Sequence, residues 1–449
     1  MSQFSKTRLV GAAGLLVPIL CLLTAGAASA QEAAPALLAH QAALQLDGAA
    51  SAWLGTSTAL VLLMTLPGLA LFYGGMVRRK NVIATITQSV GVFSVVTLVW
   101  FIAGYSIAFG TNANPTLQKV VGNLDMLMLH GVTLQTANSL LPGIPEFLWI
   151  SFQLTFAIIT PALITGAFAE RFKYSALLLF TALWSLLIYS PICHWVWGGG
   201  FLGQAGVLDF AGGAVVHVNS GVAGLVCAIV LGRRKGYGVE PINPHNPVLT
   251  LIGASLLLVG WIGFNAGSAG AADALMGVSL INTLIAAAAA ALSWKVVEVI
   301  EKKKISLIGM LSGIIAGLVG ITPAAGFVDP TGALIIGLLS GVVCYVASVW
   351  IKKLLRYDDS LDAFGIHGAG GLVGALLTGL FATTTINSLS EGANIGAQAL
   401  GLVWTIAYSA VGTFIILMIC KFTTGLRVSE AEEAAGLDTS LHGETIDGV

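Results

Sequence analysis

Apolar residues run along this chain in long stretches separated by short polar connections. After Ser51 eleven such stretches can be marked, near residues 52–76, 83–109, 147–169, 174–192, 209–231, 248–266, 276–298, 306–322, 331–353, 364–385 and 396–420. Most reach the roughly 20 residues that an α-helix needs to cross the hydrocarbon core of a bilayer. They do not alternate apolar and polar with period two, so helices rather than the strands of a barrel are predicted. The expected fold is an all-α polytopic membrane protein with eleven transmembrane helices.

Charge then orients the stretches. Basic clusters fall at Arg78-Arg79-Lys80, Arg171 with Lys173, Arg233-Arg234-Lys235, Lys302-Lys303-Lys304, Lys352-Lys353 with Arg356, and Lys421 with Arg427. Each follows an odd-numbered stretch, whereas the connections after even-numbered ones hold only Lys119. The positive-inside rule places the mature N-terminus outside and the C-terminus in the cytoplasm. Before the first stretch, Lys6 and Arg8 precede an apolar segment from Leu9 to Leu23 and the small residues Ala28-Ser29-Ala30. That order reads as a cleaved secretory signal; an uncleaved extra helix is the alternative. The expected organisation is a signal at 1–30, a transmembrane domain at 31–425 and a cytoplasmic tail at 426–449.

Composition narrows the function. The chain of 449 residues is 56% hydrophobic and 9% charged, against about 25% charged in soluble domains. A formal net charge of −1 gives no basic field for nucleic acid. The five cysteines, Cys21, Cys193, Cys227, Cys344 and Cys420, are scattered without a CxxC pair, so no metal cage, disulfide framework or cofactor is called for. The sequence has no HExxH or GxSxG motif and no paired carboxylates at metal-binding spacing, which disfavours an intramembrane enzyme.

Ionisable groups inside a membrane span are costly and point to function by default. Two segments carry them: Asp209-Phe210-Ala211-Gly212-Gly213-Ala214-Val215-Val216-His217 and Asp362-Ala363-Phe364-Gly365-Ile366-His367-Gly368. At the helical rise, His217 lies roughly 12 Å deeper than Asp209, and His367 roughly 7.5 Å deeper than Asp362. The two helices enter from opposite faces and lie five spans apart, the pattern of an inverted repeat relating spans 1–5 to 6–10. Plainer readings stand beside this one: a buried histidine satisfied by a carbonyl, and aspartates that cap the helices they open. A second group, Phe152, Phe156, Trp197, Phe264 and Ser268, maps to the outer face. It reads either as an interfacial aromatic belt or as a cage holding a small cation by cation–π attraction and a hydrogen bond.

These motifs resemble the ammonium transporter family (Amt, with Mep and Rh relatives), in the bacterial branch with a cleaved signal. The likeness is carried by DFAGGAVVHVNSG at Asp209–Gly221, GFNAGSAG at Gly263–Gly270, FGIHG at Phe364–Gly368 and GAFAER at Gly166–Arg171. It extends over about residues 50–445. The resemblance implies an outer ammonium site of Phe156, Trp197 and Ser268. It implies a gate of Phe156 stacked on Phe264 with Phe152 nearby, and a twin-histidine pore of His217 and His367. Asp209 would support the outer site and the route of proton escape. It further implies a homotrimer in the lipid of the inner membrane, with one pore per subunit. The tail would contact neighbouring subunits and a PII-type signal protein, although Thr445–Val449 departs from the family's endings. The expected activity is ammonium transport: capture of ammonium, deprotonation, passage of ammonia, and separate, electrogenic movement of the proton. A passive ammonia channel and an ammonium sensor are the alternatives.

Overall fold

A computed structural model describes residues 46–446; the expected signal at 1–30 lies outside them. Among these residues ten helices are long and apolar enough to cross a membrane: α1 (Gly48–Met76), α2 (Arg79–Phe109), α3 (Glu146–Phe168), α4 (Tyr174–Gln204), α5 (Gly213–Leu231), α6 (Pro247–Ala266), α7 (Ala274–Lys302), α9 (Pro330–Leu355), α10 (Phe364–Phe381) and α11 (Ile395–Thr423). Between α7 and α9 lies a shorter apolar helix, α8 (Leu307–Ile321). A short helix α12 (Glu430–Ala435) belongs to the tail. No strand is present among the described residues, only isolated bridges at Ala137–Pro145 and Phe172–Arg427. The chain is an all-helical, multi-pass membrane protein.

Local chemistry sets the helix ends. Asp47, Asn246, Asp273, Ser306, Asp329 and Asn394 each cap the helix that follows by accepting a backbone N–H, satisfying amides that no carbonyl can reach. Pro247 and Pro330 occupy first-turn positions, where a missing N–H costs nothing. Inside α1, Pro67 breaks the ladder and Leu66 leaves helical geometry at φ −123° and ψ 88°, the kink expected of a proline inside a helix.

Packing relies on small residues. Along the α7–α8–α9 seam, a Cβ added at Gly317 would stand 2.3 Å from the Ala286 carbonyl oxygen, and one at Gly341 2.3 Å from that of Ala290. In lipid, helices gain little from hydrophobic association, so close backbone approach of this kind holds them together. Helices α3 and α5 run through the middle of the bundle. From Thr155 to Phe168 every residue of α3 is buried, and these two helices with α10 surround the site described below.

At the end that bears the tail, charge is buried but paired. Glu170 accepts from Arg78 Nε at 2.8 Å and lies 3.4 Å from Arg234, and Arg234 is forked onto Asp358 at 2.8 Å. Burial alone would raise the Glu170 and Asp358 carboxyls; the Arg234 guanidinium, with Arg78 at Glu170, more than offsets this and holds both below the ordinary carboxylate range. The tail lies on this chain's own helices. Val428 N–H donates to Arg171 O at 3.1 Å, and Arg427 reaches the carbonyls of Leu231 (2.8 Å) and Arg233 (2.7 Å). Leu437 N–H donates to Asn81 Oδ1 at 2.9 Å, and the Asp438 carboxylate accepts from Ala84 N–H at 2.8 Å.

Candidate functional site

At the end opposite the tail, a cavity of about 470 Å³ opens between α3, the end of α4 and the segment before α5. Its wall includes Phe152, Gln153, Phe156, Trp197, Asp209 and Ser268. Trp197 is pinned by donating its indole N–H to the Asp209 carbonyl at 2.8 Å. Its ring meets Phe156 edge-on, with centroids 6.0 Å apart at 90°. Beneath it Phe156 stacks on Phe264, centroids 4.3 Å and planes 28° apart, and Phe152 stands 5.0 Å from Phe156. Phe156 and Phe264 are buried, so the stacked pair closes the floor of the cavity. Ser268 donates its hydroxyl to Phe264 O at 2.8 Å, which leaves its oxygen free to accept. The structure thus brings all five sequence-selected aromatic and hydroxyl residues together.

Asp209 precedes α5 rather than lying within it, and reaches forward over the helix end. Its carboxylate accepts from the N–H groups of Gly212 (2.8 Å), Gly213 (2.6 Å), Ala214 (2.8 Å) and Val215 (3.0 Å). Gly212 turns the chain here with φ +114°, which a residue with a Cβ rarely adopts. The carboxylate is committed to the backbone, so its geometry is that of an N-cap which also fixes the carbonyl holding Trp197.

Below the floor are the two histidines. The turns that carry them, Gly213–Val218 and Phe364–Gly368, are π-helical, as is the turn Ile262–Ala266 carrying Phe264; such widened turns re-aim a side chain without breaking the helix. His217 Nδ1 and His367 Nδ1 are 3.3 Å apart, with ring planes at 18°. One nitrogen of such a contact must carry the proton and the other accept it. His217 also stacks on Trp261 at 5.4 Å and 22°, and its Nε2 is buried without a partner. The gap beside the rings is only about 10 Å³ and is otherwise walled by Leu69, Phe72, Ile159, Leu163, Leu257, Trp261 and Ile315. Close helix crossing permits the contact: a Cβ at Gly221 of α5 would fall 2.2 Å from the Gly368 nitrogen of α10.

One expectation is corrected. Asp362 does not cap α10. Asp359 does, accepting from Ala363 N–H at 3.0 Å and Phe364 N–H at 2.8 Å. Asp362 has φ +60° and pairs with Lys352; a capping residue needs an extended backbone, and the left-handed one turns this side chain elsewhere. Asp359 stands eight residues before His367, as Asp209 does before His217, a match hidden by the choice of Asp362. Sequence reasoning also missed Gln153, whose Oε1 is buried without a hydrogen-bond partner in the cavity wall. The available signal was an amide side chain inside an apolar stretch, between Phe152 and Phe156. Trp261 was missed too; nothing in its local pattern marks it as the plate beneath a histidine.

Among the described residues no group of three or more His, Cys, Asp or Glu side chains could hold a metal ion.

Comparison with known proteins identifies the family. A family model described as Ammonium Transporter Family matches residues 52–446. An ammonium transporter of Bacillus subtilis (strain 168) is 47% identical over 392 residues, covering 86% of this chain and 95% of its own length. One of Aquifex aeolicus (strain VF5) is 46% identical over 416 residues, covering 90% and 95%. The crystal structure of Saccharomyces cerevisiae Mep2 superposes with a TM-score of 0.79 at 35% identity, covering 86% of this chain and 88% of that one. With the matched span running from the first helix into the tail, the chain belongs to the ammonium transporter family.

Proposed function

We propose that this protein transports ammonium, taking up the cation at the outer cavity and passing its nitrogen through the bundle as ammonia. The observation that carries the reading is the Nδ1–Nδ1 contact of His217 and His367 at 3.3 Å, set in an apolar constriction directly under stacked phenylalanines. A metal cation in such a constriction finds no replacement for its water shell and stalls. Ammonium alone can release a proton and continue as a neutral molecule. In the cavity it is held by the faces of Trp197 and Phe156 and donates to Ser268. It then splits into ammonia and a proton. Ammonia passes Phe156 and Phe264 when they part, with Phe152 beside them, and moves along the imidazole edges. The proton moves separately through the linked histidines, so net charge crosses with each nitrogen. Asp209 supports the cavity and lies at the start of the proton's route.

Several further features belong to this reading. The paired Asp–His spacing on oppositely directed helices supports an inverted repeat of α1–α5 and α6–α10, with the histidines at its seam. The basic clusters at the tail end support a cytoplasmic tail and an extracytoplasmic cavity in the inner membrane. A homotrimer with one pore per subunit, and a PII-type protein reading the tail, complete the proposal.

Ammonium pulses applied to liposomes containing the protein test it. The expected result is a transient current that His217→Ala either cuts by about tenfold or more or opens to potassium. Intact ammonia flux across an electrically silent membrane would replace the electrogenic mechanism with a passive channel.

A further inference from the structure

Beside the outer cavity lies a second, more polar one of about 190 Å³, whose lining includes Tyr105, Phe109, Gln118, Asn138, Leu140 and Glu146. Glu146 opens α3 and is buried. One carboxylate oxygen accepts from the Tyr105 hydroxyl and the other from Asn138 Nδ2 at 2.8 Å. Both donors are neutral, no Lys or Arg lines the cavity, and among the described residues no ion pair to Glu146 is seen. The basic side chain behind the wall, His194, sets its two ring nitrogens against the carbonyl oxygens of Ala108 (2.8 Å) and Gln118 (2.7 Å) rather than against Glu146. A carboxylate offers about four acceptor positions, and these two bonds leave capacity toward the cavity. Elsewhere this chain answers buried carboxylates with arginine, as at Glu170 and Asp358, or with a run of helix amides, as at Asp209.

The cavity is joined to the gate. Leu140 lines both cavities, and an unbroken series of rings connects them. Tyr105 and Phe109 are 5.4 Å apart, Phe109 and Trp149 5.8 Å, Trp149 and Phe152 6.3 Å, and Phe152 and Phe156 5.0 Å. Aromatic rings attract small cations; most of the series is packed ring against ring, and the half-buried Phe109, lining the smaller cavity, and Trp149, lining the larger, are the rings a cation meets between the two. We propose that the Glu146 cavity is a second ammonium site, which draws the cation from solution and hands it across Trp149 to the main cavity. The proposal rests on the transport reading above and adds to it where the cation first lands.

Two measurements decide it. In liposome current assays at low ionic strength, E146Q should raise the half-saturating ammonium concentration about three- to tenfold, with the loss confined to sub-saturating ammonium. The exchanged pair N138D/E146Q, which returns the carboxylate to the same hydrogen bond, should restore it. Separately, crystals soaked in thallium(I), a monovalent cation of ammonium size, should show anomalous density beside Glu146. Unchanged half-saturation in E146Q, or a defect that the exchanged pair fails to repair, would overturn the proposal. So would crystals with no thallium at Glu146. If the wild type gives no current at all, the transport reading falls, and thallium density alone decides whether the cation site stands; it also decides if E146Q does not fold.

Discussion

His217 and His367 touch through their Nδ1 atoms at 3.3 Å, and neither ring makes another hydrogen bond among the described residues. Each is therefore the other's sole polar partner in an apolar wall. Removing one ring leaves the second with a buried nitrogen unpaired, at a cost of about 1–3 kcal/mol, and opens a gap that water can fill. His217→Ala and His367→Ala should each cut ammonium-driven current by about tenfold or more, or admit potassium. Liposome currents in ammonium and in potassium measure both. Two variants with unaltered flux and selectivity would make the pair structural.

Trp197 walls the cavity without closing the constriction. Trp197→Leu should raise the half-saturating ammonium concentration several-fold, roughly the effect of losing one cation–π contact of about 1 kcal/mol. Flux of neutral ammonia, followed by internal pH, should change much less. Equal losses in both would place Trp197 in the conduction path itself.

Gly221 sets the separation of α5 and α10. With the added Cβ only 2.2 Å from the Gly368 nitrogen, Gly221→Ala must push the helices apart. The expected cost is about 1–3 kcal/mol, read as a lower thermal midpoint in detergent, together with loss of current as the imidazole contact opens. Normal stability and current would show that the crossing is softer than the geometry requires.

The spans and the histidines were readable from the chain because a lipid solvent makes polar side chains rare. Against that background His217 and His367 stand out. The aromatic cavity was readable only in part. Trp197 and Phe264 are far apart in sequence, and a ring at a membrane face is ambiguous until its neighbours are known. Asp359 was missed because Asp362 sits closer to the helix and fits a capping position equally well on paper; only the left-handed backbone at Asp362 separates them. Gln153 was visible as an amide in an apolar run, but its partnerless oxygen depends on how α3 is rotated. The docking of the tail on Asn81 and Ala84 joins residues with no shared pattern, and linear reading has no means of finding it.

Arg234 holds two buried carboxylates, Glu170 and Asp358. Arg234→Met should destabilise the fold by about 3–5 kcal/mol, because Asp358 loses its forked partner and Glu170 keeps only Arg78. Acid acts on the same pairs. Their folded values lie below the ordinary carboxylate range, so the stabilisation is complete above about pH 4, the unfolded value. It fades as pH falls further, through the lowered folded values. Thermal midpoints in detergent from pH 7 down to 3 should be flat at first and then fall; a flat profile throughout would contradict the pairing.

Deleting Ser429–Val449 removes the bonds to Asn81 and Ala84 while leaving every residue of the cavity and constriction in place. Current should persist at a reduced level, with a lower thermal midpoint. Complete loss of current in a folded protein would mean that conduction depends on the tail.

The bond from Asp438 to Ala84 has a temporal consequence. Asn81, the residue before the regular part of α2, makes no capping bond to its own helix, and the carboxylate that does so lies 354 positions later. At ribosomal speeds of about 5–20 residues per second, roughly 20–70 s separate the synthesis of these partners. The second helix is thus inserted unfinished and completed only once the tail has been made, so that a chain cut short before it betrays itself at its beginning.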